Sequence, residues 1–225
     1  MLATGNNQIR TNEVSIQISL NGLSFYDNKQ NETWRTSSIN ADQTMLEQLG
    51  KLRKLSNKVE ITIATDNFVM VPTNIFSEQD TNLYFSTKLL PYNPSLYEYI
   101  KTTIKNVTLI TAIETDLASV FSNTFSTTTY TSPLQQTLLS ALKTNSSNIY
   151  VYQSEERCAI SMIAHSKLIF SDYIKIASQL DITYYINKLI TDNNQPSISI
   201  NCLGRDRKQT AESLIPFFKK TSYKR

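Results

Sequence analysis

The chain offers few side chains from which to build a reactive centre. It has one histidine, His165, and two cysteines, Cys158 and Cys202. A structural zinc site needs about four Cys or His ligands, and a Ser-His-Asp triad needs an imidazole oriented by a carboxylate. His165 lies between Ala164 and Ser166 at a turn-like step, and each cysteine sits alone in an apolar, strand-like run, Cys158-Ala-Ile-Ser-Met-Ile and Ile200-Asn-Cys-Leu. A free cysteine in such a setting packs as a small hydrophobe, so two structural thiols and a surface histidine are expected. A two-metal nuclease requires converging carboxylates, whereas Asp66, Asp116 and Asp172 fall in a turn, a helix and a strand with no common spacing. Phosphate binding calls for glycine-rich loops whose backbone N–H groups approach an anion closely. The chain has four glycines. Gly22 follows Asn21 in the dipeptide most typical of a tight hairpin, and Gly204 closes a strand-like run.

The composition, 225 residues with 40% hydrophobic and 18% charged, suits a globular protein that buries a core without staples. No stretch approaches the roughly 20 apolar residues of a membrane span, and residues 1–12 are polar, without the apolar core of a secretion signal. A cytoplasmic protein with no membrane association and a flexible N-terminus over 1–12 is expected. Lys51, Arg53, Lys54, Arg205, Arg207, Lys208, Lys219, Lys220, Lys224 and Arg225 read as solvated cations. A net charge of +3 is weak evidence for a nucleic-acid surface, which stands as the less favoured alternative for these residues.

Three strands in a row open the chain. Val14-Ser-Ile-Gln-Ile-Ser-Leu alternates with period two, breaks at Asn21-Gly22, and returns as Leu23-Ser-Phe-Tyr, followed after a polar turn by Glu32-Thr-Trp-Arg-Thr. Residues 42–55 carry apolar positions at helical spacing. Strands follow at 59–64 and 68–72, then a short helix at 77–87, a strand pair at 96–104 and 107–113, and helices at 115–125 and 133–143. The order then repeats: strands at 149–152, 157–164 and 168–174, a helix at 178–191, a strand at 197–203 and a last helix at 208–220 that Pro216 should shorten. Tyr84, Phe85, Tyr92, Tyr97 and Tyr99 cluster near the middle; strand packing accounts for them, with a contact surface as the alternative.

A meander followed by alternating helices and strands, present twice, resembles the actin-like ATPase superfamily, whose halves are ribonuclease H-like. The runs Val14-Ser-Ile-Gln-Ile-Ser-Leu-Asn-Gly-Leu-Ser-Phe and Val59-Glu-Ile-Thr-Ile-Ala-Thr-Asp-Asn-Phe-Val-Met-Val-Pro are similar to those of a bacterial family of unknown function that is actin-like in fold. The resemblance implies an α/β fold of two ribonuclease H-like halves, residues 13–145 and 146–225, each a mixed sheet starting with a three-stranded meander and flanked by helices. It implies a cleft between the halves that takes ATP and Mg²⁺ in working members, on an Asp two residues before the Gly of the first hairpin, an Asp/Gly hairpin in the other half, and a Gly after a late strand. Here Gly22 is preceded at that distance by Leu20. The second hairpin, Gln153-Ser-Glu-Glu-Arg157, has acids and no glycine, and only Gly204 matches its counterpart. The expectation is therefore a non-catalytic module with degenerate phosphate loops that binds a protein partner or itself. The alternative is an ATP-binding protein or weak ATPase using Asn21, Gly22, Glu155, Glu156 and Gly204.

Overall fold

The computed structural model describes residues 14–27, 29, 31–37, 42–86 and 93–223. Residues 1–12, Tyr92, Lys224 and Arg225 lie outside them. The chain divides into two compact units, the first ending at Ser132 and the second starting at Pro133.

In the first unit, β1 (Val14–Ser19), β2 (Gly22–Tyr26) and β3 (Glu32–Thr36) form the expected antiparallel meander, and Phe25 packs against Trp34 with ring centroids 4.9 Å apart and planes tilted by 59°. After α1 (Gln43–Leu55), strand β4 (Lys58–Ala64) returns parallel to β1. Strand β8 (Thr127–Thr131) then pairs parallel to β4, giving the order β3-β2-β1-β4-β8. Period-two alternation sends Val14, Ile16, Ile18, Val59, Ile61 and Ile63 to one face. They meet Met45, Leu49 and Leu52 of α1, and Leu117, Ala118 and Phe121 of α3 (Thr115–Thr124). Asp42 caps α1, its carboxylate accepting from the Met45 N–H at 2.8 Å, and Arg53 and Lys54 occupy the last turn where the helix dipole favours cations.

Between β4 and α3 the chain makes a second, small sheet. Its strands are β5 (Phe68–Pro72), β6 (Tyr97–Ile104) and β7 (Val107–Glu114), in the order β5-β7-β6. Strand β5 leaves the main sheet because both edges of β4 are taken, by β1 and by β8. Of the helix expected over 77–87, residues 77–80 are not helical and α2 spans Thr81–Ser86, with Thr87 outside the described residues; Phe85 is fully buried and packs 5.2 Å from the Tyr99 ring. Tyr84, Tyr97 and Tyr99 are half-buried against this small core, as strand packing requires.

The second unit repeats the plan. Strands β9 (Asn148–Ser154), β10 (Arg157–Ala164) and β11 (Lys167–Lys175) form a meander, α5 (Gln179–Asp192) follows, and β12 (Ser199–Leu203) returns parallel to β9. Helix α6 (Arg207–Leu214) ends two residues before Pro216, and a short β13 (Thr221–Tyr223) completes the order β11-β10-β9-β12-β13. Inward residues Ile149, Val151, Cys158, Ile160, Met162, Ile200 and Cys202 pack against Ile182 and Ile186 of α5 and Ala211 and Leu214 of α6. The opposite face carries α4 (Pro133–Leu142), which lies along β9, β10 and β11, with the Thr137 and Ser161 hydroxyls 2.9 Å apart. That packing places α4 in the second unit, so the division falls at 132/133 rather than at the expected 145/146. No helix among the described residues is long and apolar enough to cross a membrane.

Candidate functional site

Ligands of α/β folds gather at the carboxyl ends of parallel strands, where the strand order reverses direction. In the second unit that place is the end of β9, antiparallel to β10 on one side and parallel to β12 on the other. A groove of about 340 Å³ lies there, lined by Gln153, Glu155, Glu156, Ile176 to Gln179, Gln209 and Ser213. Glu155 and Glu156 form the β9–β10 turn. Glu155 adopts φ +52, a left-handed conformation that costs a residue with a side chain roughly 1–2 kcal/mol. The turn is held by the Ile176 N–H, which donates to the Glu156 carbonyl at 2.8 Å.

The floor of the groove is a network of neutral side chains. Gln153 follows Ile149 and Val151 on the inward face of β9, and its amide oxygen accepts from the Thr210 hydroxyl at 3.2 Å and from the Gln179 amide at 2.9 Å. The same Gln179 Nε2 donates to Ser213 Oγ at 2.9 Å, whose own hydroxyl donates to the Thr210 carbonyl at 2.7 Å. These bonds fix the orientation of the Gln179 amide. Its Oε1 is buried and meets no hydrogen-bond donor among the described residues. The start of α5 closes the groove: the Asp181 carboxylate accepts from the Ala177 and Ser178 N–H groups at 2.7 and 2.9 Å, in a capping box.

Glu155 and Glu156 are thus brought together, and Gly204 is not among the lining residues. It adopts φ +85 after β12, and a Cβ there would lie 2.7–2.9 Å from the ring of Tyr152, which is itself buried. Its carbonyl accepts from Arg207 Nη1 at 3.1 Å. Asn21 and Gly22 belong to the first unit. Gly22 has φ +120, and a Cβ would fall 1.8 Å from the Thr36 carbonyl oxygen and 2.7 Å from Ser37 Cα. The room left by its missing side chain is filled by the end of β3. The Ser19 hydroxyl donates to the Gly22 carbonyl at 3.2 Å, and Leu20 is exposed, so this turn brings no carboxylate.

Burial pushes the Cys202 thiol up to about 12 and raises that of Cys158 as well, and both are free and enclosed in the second core. Thiols held so far above neutrality are not nucleophiles. His165 and Ser166 make the β10–β11 turn, both with positive φ, and His165 Nε2 lies 2.9 Å from Gln195 Nε2 on the surface. Among the described residues no group of three or more His, Cys, Asp or Glu is placed to hold a metal ion. Gln153, Gln179, Thr210 and Ser213 were not singled out in the sequence, since amides and hydroxyls spread over sixty positions make no motif. The available signal was Gln153, a polar residue at an inward position of an otherwise apolar strand.

Residues 4–212 match the model of a family described as "Protein of unknown function (DUF3822)". The chain belongs to this family. Among solved structures it is similar to a Bacteroides thetaiotaomicron protein described as having an actin-like ATPase fold and unknown function. The TM-score is 0.61 at 17% identity, over 98% of this chain and 94% of that one. It is also similar to a chain of the PilM–PilN type IV pilus biogenesis complex, with TM-score 0.51 at 7% identity, over 95% of this chain and 88% of that one. These likenesses, with the repeated strand order of the two units, establish the actin-like ATPase fold. No curated protein matches the sequence.

Proposed function

We propose that this protein is a non-catalytic, cytoplasmic interaction module on an actin-like frame that engages another protein or a second copy of itself. The observation that carries the reading is the filling of both candidate glycine positions by the chain's own atoms, Thr36 and Ser37 against Gly22 and Tyr152 against Gly204. A phosphate loop uses glycine so that a ligand approaches the backbone closely; here that space is spent on internal packing. Catalysis of phosphoryl transfer rests on positioned metal and cations, and the β9–β10 turn offers two glutamates with no glycine beside them. The fold alone leaves function open. Likeness to a chain of the PilM–PilN complex supports a partner-binding role, and free buried thiols suit a reducing compartment.

Thermal unfolding with millimolar ATP and Mg²⁺, with GTP and inorganic phosphate as controls, tests the proposal. A ligand at about 100 times its dissociation constant stabilises by about 2.7 kcal/mol, a shift of several degrees for a protein of this size. No shift is expected with any of the three. A shift selective for ATP would overturn the reading in favour of a nucleotide-binding protein.

A further inference from the structure

We infer that the outer edge of β11 takes up an extended segment of a protein partner as an added strand, with a lysine or arginine of that segment set across from Asp172. The inference rests on the interaction-module reading and gives it a surface and a partner chemistry. Strand β11 ends the order β11-β10-β9-β12-β13, and among the described residues no strand pairs on its far side. At nine residues it is the longest of the described strands, and an edge of that length is a template for strand addition. The direction of its backbone groups follows from one bond. Directly after β11, the Ile176 N–H donates across to the Glu156 carbonyl, on the β10 side. Backbone groups alternate sides along a strand, so those of Asp172 and Ile174 also face β10, and those of Ser171, Tyr173 and Lys175 face outward, about 6.8 Å apart. The bulge opposite Met162 and Ile163 ends this regular stretch at Phe170. One outward donor is engaged from its own chain: the Tyr173 N–H donates to the Asp172 carboxylate at 2.8 Å. That carboxylate takes the donor that the carbonyl of an added strand would take.

The side chains set the partner. Asp172 lies opposite Ile160, between Phe170 and Ile174 on the face that packs on the second core, and it is exposed. A charge at such an inward position of an edge strand is a device against indiscriminate pairing. It works against a second copy of this chain. Antiparallel self-pairing about Tyr173, the register that uses all three outward residues, would put Asp172 across from Ile174 of the copy and diagonal to its Asp172, so each carboxylate would meet an apolar chain and a like charge. A segment with a cation at that position has the opposite effect. The cation pairs with Asp172, apolar residues two places to either side lie beside Phe170 and Ile174, and an incoming carbonyl takes over the Tyr173 N–H that the carboxylate releases.

The probe is the palindromic peptide acetyl-Thr-Val-Thr-Lys-Thr-Val-Thr-amide, which presents the same pattern in either strand direction, titrated into the isotopically labelled full chain and followed by NMR. One control carries glutamate in place of the lysine. A second is N-methylated at the threonines, whose N–H groups would face β11. Saturable shifts are expected at the Ser171, Tyr173 and Lys175 backbone amides, with the glutamate peptide binding at least about fivefold weaker and the methylated peptide giving none. Asp172→Asn keeps an acceptor for the Tyr173 N–H, so it should leave the rest of the spectrum unchanged while weakening the lysine peptide roughly two- to fivefold and removing its advantage over the glutamate peptide. Raising the salt should weaken the lysine peptide too. Absence of saturable shifts at these amides, equal binding of the methylated peptide, or a D172N variant that keeps the preference for lysine would each overturn the inference. Shifts of the same amides on diluting the protein alone would place a second copy on the edge and overturn the choice of occupant. Those results would leave the interaction-module reading standing, because that reading is tested separately by nucleotide-induced stabilisation.

Discussion

At the scale of single residues, the two glycines and the buried polar atoms make the sharpest claims. Gly22→Ala combines a forbidden φ with a Cβ 1.8 Å from backbone oxygen, and backbone cannot move aside as a side-chain tip does. It should cost more than about 2 kcal/mol in urea unfolding and more than Gly204→Ala, where the clash is with the Tyr152 ring. Equal costs would contradict the packing described at β3. Tyr130 presents the opposite case. It is fully buried in the first core with its hydroxyl unpartnered among the described residues, and burial with nearby Glu98 raises its pKa. Tyr130→Phe removes an unsatisfied group and should leave stability unchanged or raise it by about 1 kcal/mol; a loss of that size would mean the hydroxyl has a partner.

The thiols give a pH dependence. The unfolded chain releases a cysteine proton near the ordinary value of 9.0, whereas the folded Cys202 holds its proton up to about 12. Alkali therefore favours the unfolded state: the contribution is whole below pH 9 and is lost as pH rises from 9 toward 12. The urea midpoint should fall between pH 8.5 and pH 10, and iodoacetamide should label neither thiol in the folded protein at about pH 8. The chemically sparse sequence made these residues legible as structural, since one histidine and two isolated thiols leave nothing else to build.

At the scale of elements, whatever carried an apolar period was legible: the two meanders, α1, α5, and the stop of α6 before Pro216. Strand β8 was not, because Thr127-Thr-Thr-Tyr-Thr has no alternation and is held by backbone pairing to β4 and by Tyr130. Strand β13 is likewise a three-residue polar edge. The apolar period of α5 did not say which of its apolar residues are buried: Leu180 is exposed, and Ile182 and Ile186 carry the buried stripe of that helix. Helix α4 fits the sequence as a helix yet gives no hint of which sheet it covers. Its lie on β9, β10 and β11 predicts that a fragment 133–225 unfolds at higher urea than a fragment 146–225, which uncovers Ala159 and Ile163. Equal midpoints, measured by circular dichroism, would count against α4 as part of the second unit.

At the scale of the whole molecule, the strand orders β3-β2-β1-β4-β8 and β11-β10-β9-β12-β13 are the same plan used twice, and this duplication is what the order of elements in the sequence disclosed. The groove was only half legible: its acidic turn stood out, while its amide floor is assembled from β9, α5 and α6 by folding. The plan belongs to a fold that elsewhere handles nucleotides, and in this chain its glycine positions are packed from within. Calorimetric titration of Mg²⁺-ATP into the full chain measures that claim most directly. The account predicts no saturable heat up to millimolar nucleotide. A one-to-one isotherm, abolished by GTP-insensitive competition with an ATP analogue, would contradict it.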